Sequence, residues 1–279
     1  MSVRGNSGNF NIDKRFGTEL VNTDGGIGRE QHYLERLNDR GVTQPVSTDV
    51  TLWLKSDEGI NLTSNRVSLW EDQSFNLNNI DMVQNTSSYR PNYSLNVPEF
   101  NNYPSVQFNG YSYNMESSNN SNLLDCANGF TVYVVARIIN PASTYSFLIT
   151  RTNGTSWTQG WGIMKYSNSW RFWVNNWNST SSRVNLTFNN TSDVHIIKMR
   201  YDKVNIEGEV IGVINNSQTK AYTNTVSSPG NNEGVMLGWG GSSSYYLQCA
   251  IGEVLYYNRP INSDEQLSIE DYLKNKYNI

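Results

Sequence analysis

The sequence predicts an all-β fold in which two antiparallel sheets pack as a sandwich, and three observations point that way. Aromatic residues make up 12% of the 279-residue chain and charged residues only 16%, which suits strands joined by polar turns better than helices laced with ion pairs. Apolar runs of strand length recur at VTLWLKSDEGI (50–60), PSVQFNG (104–110), FTVYVVARI (130–138) and VHIIKMRYD (194–202). Turn dipeptides punctuate the chain, among them Asn109-Gly110, Asn153-Gly154, Pro229-Gly230 and Gly240-Gly241. Sustained helical spacing is confined to 29–39 and 264–275.

Residues 1–45 form an N-terminal arm rich in Gly, Asn and charge, with one short helix in which Tyr33, Leu34 and Leu37 share a face. Gly41 ends that helix and Pro45 marks the join to the sandwich. The arm is too poor in apolar residues to fold alone. It is either a disordered tail or a strap along the sandwich, or else an anchor that orders on a partner, with Tyr33, Leu34 and Leu37 as the anchoring residues. From 46 to 262 the chain reads as strands and turns, with no repeat of fixed period. In the last strand Ile251, Glu253, Leu255 and Tyr257 share one face, and Asn258-Arg259-Pro260 breaks it. Ser263 with Gln266 reads as a capping box opening a short C-terminal helix across one end or edge of the sandwich.

The closing segment, QCAIGEVLYYNRPINSDEQLSIEDYLKNKYNI (248–279), resembles that of concanavalin A-like jelly-roll domains of the laminin-G-like type. Other landmarks follow in order: VTLWLKSDEGI, Leu69-Trp70-Glu71-Asp72-Gln73-Ser74, Tyr89-Arg90-Pro91, PSVQFNG, FTVYVVARI and VHIIKMRYD. The resemblance covers 46–279 and implies one jelly roll over that range. It also implies that 130–138 and 250–257 are antiparallel neighbours. Cys126 and Cys249, the two cysteines, then lie at opposite ends of the pair, about 20 Å or more apart at ~3.3 Å per residue, beyond disulfide reach. Two free structural thiols are expected.

A net charge of −4 without a Lys/Arg cluster argues against a nucleic-acid partner. No apolar run approaches the ~18 residues that span a bilayer, so membrane insertion is not expected. Read from Met1, the first thirty residues lack the apolar core of a secretory leader, so export by that route is not expected. N-x-S/T triplets at Asn61, Asn153, Asn178 and Asn185 arise by chance in so Asn- and Ser-rich a sequence.

The related laminarinase-type glycosidases carry E-x-D-x-x-E on one strand, because retaining hydrolysis needs two carboxyl groups about 5–5.5 Å apart. That pattern is absent, and Glu253 alone cannot fill both roles. Neither histidine supplies a catalytic dyad or metal cage: His195 lies in VHIIKMRYD, where the resembled domains often carry a framework His or Trp, and His32 lies in the arm. No nucleophile elbow, phosphate loop or Cys/His metal spacing occurs. An enzyme is therefore not expected, nor a cofactor, with one metal to consider: some related domains bind calcium. Asp72, Asn76 and Asp81 are the best oxygen cluster for it, although Asp and Asn also stabilise turns.

The functional hint is aromatic. WTQGWGIMKYSNSWRFWVNNW (157–177) carries five tryptophans, and Trp239, Tyr245 and Tyr246 flank a Gly/Ser loop. Sugar rings offer apolar C–H faces and hydroxyls, so a glycan site wants exposed rings beside polar donors. Alternation assigns Trp170, Phe172 and Val174 to the core. Trp157, Trp177, Tyr245 and Tyr246, nearer turns, are the candidate carbohydrate-binding residues, with core packing as the alternative for each. Fold, arm and aromatics suggest a non-enzymatic virion surface protein, a bacteriophage head-fibre, decoration or tail component made in the host cytoplasm. Its jelly roll would bind glycans, its arm would dock on capsid or tail proteins, and by analogy it would form a homo-oligomer, a trimer. A secreted or cell-surface bacterial carbohydrate-binding module is the alternative, and a glycoside hydrolase a third.

Overall fold

The computed structural model describes residues 49–279 apart from 76–79, 118–123, 125, 141–144, 154–156, 168, 188–192, 213–214, 225, 228–233 and 242–244. The predicted arm, with Tyr33, Leu34, Leu37 and His32, lies outside the described residues, as do Asn76 and the Pro229-Gly230 turn. The strands, in chain order, are β1 (Leu52–Lys55), β2 (Ile60–Thr63), β3 (Arg66–Trp70), β4 (Met82–Val83), β5 (Asn92–Ser94), β6 (Ser105–Asn109) and β7 (Met115–Ser117). Then come β8 (Phe130–Asn140), β9 (Tyr145–Thr152), β10 (Gly160–Tyr166), β11 (Ser169–Val174) and β12 (Arg183–Thr187). They are followed by β13 (Val194–Tyr201), β14 (Asn205–Ile211), β15 (Asn216–Ala221), β16 (Met236–Leu237), β17 (Gln248–Tyr257) and a helix, α1 (Ser263–Tyr277).

Pairing resolves them into two antiparallel sheets. In the first, β17 pairs with β8, β8 with β13, β13 with β14 and β14 with β15, while β1 and β6 share the other edge of β17. The second runs β2–β3–β4–β7–β16–β9–β10–β11–β12. Strand β5 links the two at one edge, pairing along β6 and touching β3 at Arg66 and Asn92. The facing surfaces bury one continuous core that includes Leu54, Trp70, Val134, Trp161, Trp170, Phe172, Ile197 and Tyr256. Strand alternation is the cause. Trp170, Phe172 and Val174 point inward as predicted, while Arg171 and Trp173 point out of the sandwich.

The predicted neighbours β8 and β17 do pair, with Cys249 opposite Ile138 and Tyr257 opposite Thr131, but a bulge between Ile251 and Glu253 breaks the predicted shared face: Ile251 turns into the core with Val254 and Tyr256, and Glu253 lies on the outer face. Cys126 precedes the far end of β8, and both cysteines are buried and outside any disulfide; burial pushes the Cys249 thiol well above its ordinary value.

Helix α1 differs from expectation in two ways. Its cap is Asn262, one residue earlier than Ser263. The Asn262 side chain accepts from Asp264 N and Glu265 N (both 3.0 Å), and Glu265 Oε2 accepts from Asn262 N (2.9 Å). The shifted box is preferred because Glu265 also receives the Arg259 guanidinium, Nη1 to Oε2 at 2.9 Å. Second, the helix lies on the outer face of the first sheet. The fully buried Glu253 of β17 accepts from Trp53 Nε1 (2.6 Å), Tyr272 OH (2.9 Å), Lys276 Nζ (2.8 Å) and Tyr277 OH (2.9 Å), so residues of β1 and α1 converge on it. Lys198 of β13 reaches Gln266 and Glu270 in the same layer. Burial works against the Lys276 charge, but Glu253 and Asp57 overcome it and hold its pKa above the ordinary lysine value. The outer face of the first sheet is thus covered by a helix.

Candidate functional site

The outer face of β9–β12 is covered differently. The register sets its outward side chains in rows: Tyr145, Tyr166, Ser169 and Thr187, then Phe147, Met164, Arg171 and Asn185, then Gly162, Trp173 and Arg183. Glycine at 162 is required by space. A Cβ there would lie 2.8 Å from Cζ2 of Trp173, so the bare backbone lets that indole lie across β10. Phe147, Met164 and Trp173 are buried and form a floor.

Three loops each add one ring above this floor. Trp157, between β9 and β10, is held in a left-handed backbone conformation (φ 47°) and donates its indole N–H to the Gly240 carbonyl. Trp177 comes from the β11–β12 connection and Tyr245 from the β16–β17 connection. Their centroids interlock edge to face, with Trp157–Tyr245 at 4.9 Å, Trp157–Trp177 at 5.7 Å, Tyr145–Trp177 at 5.1 Å and Tyr145–Tyr245 at 5.7 Å, the geometry that the ring quadrupole favours. Tyr166 adds a contact to Tyr145 at 5.0 Å.

The sequence candidates are therefore divided. Trp177 and Tyr245 come together, half-buried, as rings of one platform with Tyr145 and Tyr166. Trp157 belongs to the same cluster but is only 7% exposed. Its place is beneath the platform as a support, because its indole N–H is used to tie the loop to Gly240. Tyr246 points elsewhere and stacks on Trp239 (5.9 Å, 13° between planes).

Polar groups edge the platform. The Arg171 guanidinium lies 3.9 Å from the Tyr166 ring centroid and 5.5 Å from that of Trp177, donates through Nε to Asn185 Oδ1 at 3.2 Å and through Nη1 to the Trp177 carbonyl at 3.3 Å. Burial first, and the neighbouring Arg183 second, push its pKa down to about 10. Arg183 Nη1 reaches the same carbonyl at 3.3 Å and the Asn178 carbonyl at 2.6 Å. Asn178 and Asn185 are exposed.

Sequence reading missed Tyr145, Tyr166, Arg171, Arg183 and Asn185, because the strands that bring them together are separated by loops. One signal was available: residues 126–192 contain Arg137, Arg151, Lys165, Arg171 and Arg183 but no Asp or Glu, in a chain whose net charge is −4.

The other candidates have structural occupations. Asp72 uses both oxygens on its own turn, accepting from Trp53 N (2.9 Å), Ser74 N (2.9 Å), Ser74 Oγ (2.9 Å) and Ile80 N (3.3 Å), and Asp81 Oδ1 accepts from Asp72 N (2.8 Å). Burial raises the Asp72 pKa, and those hydrogen bonds offset only part of the rise. Glu253 sits under α1 with four donors on its two oxygens. His195 is buried in β13, and burial lowers its pKa. A separate open groove of about 540 Å³, lined by Thr63, Ser64, Arg66, Ser88, Ser112 and Tyr113 among others, lies by β3 on the same sheet.

No protein-family model matches the chain, and no curated protein matches it. Among solved structures it is similar to the sialidase of Trypanosoma rangeli, solved with sialic acid, over 84% of this chain and 34% of that one, at 13% identity and a TM-score of 0.53. The binding domain of Paraclostridial Mosquitocidal Protein 1 is similar over 80% of this chain and 52% of its own, at 12% identity and a TM-score of 0.55. The binding domain of botulinum neurotoxin serotype D/C matches over 81% and 52%, at 13% identity and a TM-score of 0.50. The chain spans about a third of the sialidase and about half of each toxin domain. At such identities the likeness is one of fold, and it shows an antiparallel β-sandwich of the kind the sequence predicts.

Proposed function

We propose that this chain is a non-enzymatic carbohydrate-binding protein whose ligand lies on the outer face of β9–β12. The observation that carries the reading is the platform itself: Tyr145, Tyr166, Trp177 and Tyr245, half-buried on a fixed apolar floor and edged by Asn178, Asn185 and two arginines. Such rings meet the C–H face of a sugar, and the edging amides and the Arg183 guanidinium meet its hydroxyls. A non-catalytic role is supported by the positions of the acids, since Glu253 is enclosed and Asp72 is committed to its turn. The laminin-G-like subtype, and a setting on a phage particle with residues 1–45 docking to capsid or tail proteins, extend the reading on the sequence resemblance and the composition of the arm.

The test is a glycan array followed by calorimetry on the best ligand. Trp177→Ala and Tyr245→Ala should each weaken binding at least tenfold while the protein still melts cooperatively. Trp170→Ala should instead cost about 3–5 kcal/mol of folding free energy as a large-to-small core change. Equal destabilisation by all three would reduce the platform to core. Incubation with the bound glycan should release no reducing sugar, and release above a blank would restore the hydrolase.

A further inference from the structure

Among the described residues the platform carries two cations and no anion. Arg171 and Arg183 each place Nη1 3.3 Å from one acceptor, the carbonyl oxygen of Trp177, which supplies only a partial charge. Three arginines elsewhere meet carboxylates, Arg137 with Glu99, Arg200 with Asp202 and Glu207, and Arg259 with Asp49 and Glu265, while Arg90 and Arg151 donate to backbone carbonyls that receive no second cation among the described residues. Neither Arg171 nor Arg183 has a carboxylate partner among the described residues. In sequence, the stretches 126–192 and 235–252 contain no Asp or Glu.

Two like charges drawn onto one neutral oxygen repel each other, and in a partly desolvated site that repulsion is poorly screened. The lowered Arg171 pKa has the same origin, burial together with Arg183. The Arg183 side chain shows where an anion would fit. Its Nη1 is engaged with the Trp177 and Asn178 carbonyls, whereas Nε is buried without a hydrogen-bond partner, and Nη2 has none among the described residues. The Nε–Nη2 edge of a guanidinium matches the two oxygens of a carboxylate.

We propose that the face selects a carboxylated sugar, its ring on the aromatic platform and its carboxylate on Arg183, with Arg171 behind it. This rests on the glycan-binding reading above and names the ligand class within it. No bond is made or broken. The ion pair takes up the charge that the two arginines leave uncompensated.

The experiment presents the full-length protein with matched oligosaccharides: sialylated and uronate-terminated chains beside the same chains without the acid, plus sulfated counterparts. The carboxylated members should bind at least tenfold more tightly than the neutral ones. Raising NaCl from about 50 to 500 mM should erode that advantage several-fold, since a Debye length of ~10 Å at 0.1 M shrinks to ~3 Å at 1 M. Arg183→Gln should abolish the preference, whereas Arg66→Gln, on the separate groove, should preserve it. Equal binding of neutral and carboxylated partners, or a preference that survives in Arg183→Gln, would overturn the proposal while leaving the glycan reading standing. Preference for sulfate over carboxylate would overturn the carboxylate assignment. Absence of binding to every member would remove both readings. Should Arg183→Gln fail to fold, the matched pairs and salt series on the unaltered protein decide the matter.

Discussion

Glu253 shows how one side chain can join two elements. Its carboxylate is fully buried and takes four donors, one from β1 and three from α1, with a single positive charge among them. Glu253→Gln keeps the shape but leaves Lys276 with only Asp57 as a carboxylate partner at 3.0 Å. It should destabilise the fold by about 3–5 kcal/mol, the usual cost of leaving one member of a buried ion pair behind, measured as a fall in the midpoint of denaturant unfolding. Replacing Glu253 and Lys276 together by leucine and methionine should not restore stability, because Trp53, Tyr272 and Tyr277 would still lose their acceptor. A restored midpoint would show that the ion pair, and not the hydrogen bonds, sets the energy. Sequence made Glu253 legible as a structural acid, because an acid in an apolar strand must be satisfied to be tolerated, although the bulge that puts Ile251 on the opposite face was not legible. Its partners were not legible, since three of them lie on a helix whose position no local pattern specifies.

At the scale of elements, capping separates two overlapping signals. Asn262-x-x-Glu265 and Ser263-x-x-Gln266 both satisfy the same pattern, and only a distant residue, Arg259 on Glu265, favours the first. Asn262→Ala should therefore cost about 1 kcal/mol, within the range for cap removal, while Ser263→Ala should be near neutral by thermal melting. The reverse ranking would return the cap to Ser263. Strands were read more securely than this helix start because their period of two is enforced along their whole length. Trp170, Phe172 and Val174 on β11 are the clearest example. The same period also put Arg171 and Trp173 on the opposite face, but whether that face met water, a helix or loops depended on packing between distant segments.

For the whole molecule, the two outer faces are treated unequally. One carries α1, and the other, over β9–β12, is left to side chains and loops. The sandwich core draws all its described members from residues 52–256, so a chain beginning at Val46 should remain soluble and melt cooperatively. If residues 1–45 anchor the protein to a particle, that shortened chain should lose attachment or self-assembly while keeping glycan binding. Attachment at full occupancy without them would end the anchoring proposal. The site was only partly readable because it exists only when the chain is folded: Tyr145, Arg183 and Tyr245 lie far apart in sequence and share a face only through strand register.

The origin of two platform rings, Trp177 and Tyr245, and of their support, Trp157, in three separate loops has a further consequence. Trp157, Trp177 and Tyr245 each arrive from a connection that can change length or composition without disturbing strand register, whereas the floor of Phe147, Met164 and Trp173 is fixed by the pleat and by the bare backbone at Gly162. Folding and recognition are thereby placed under largely separate sequence control. Relatives of this chain that took up new ligands would be expected to diverge at residues 153–159, 175–182 and 240–247 while keeping the lattice beneath, and libraries confined to those three loops offer a direct route to altered specificity on an unaltered scaffold.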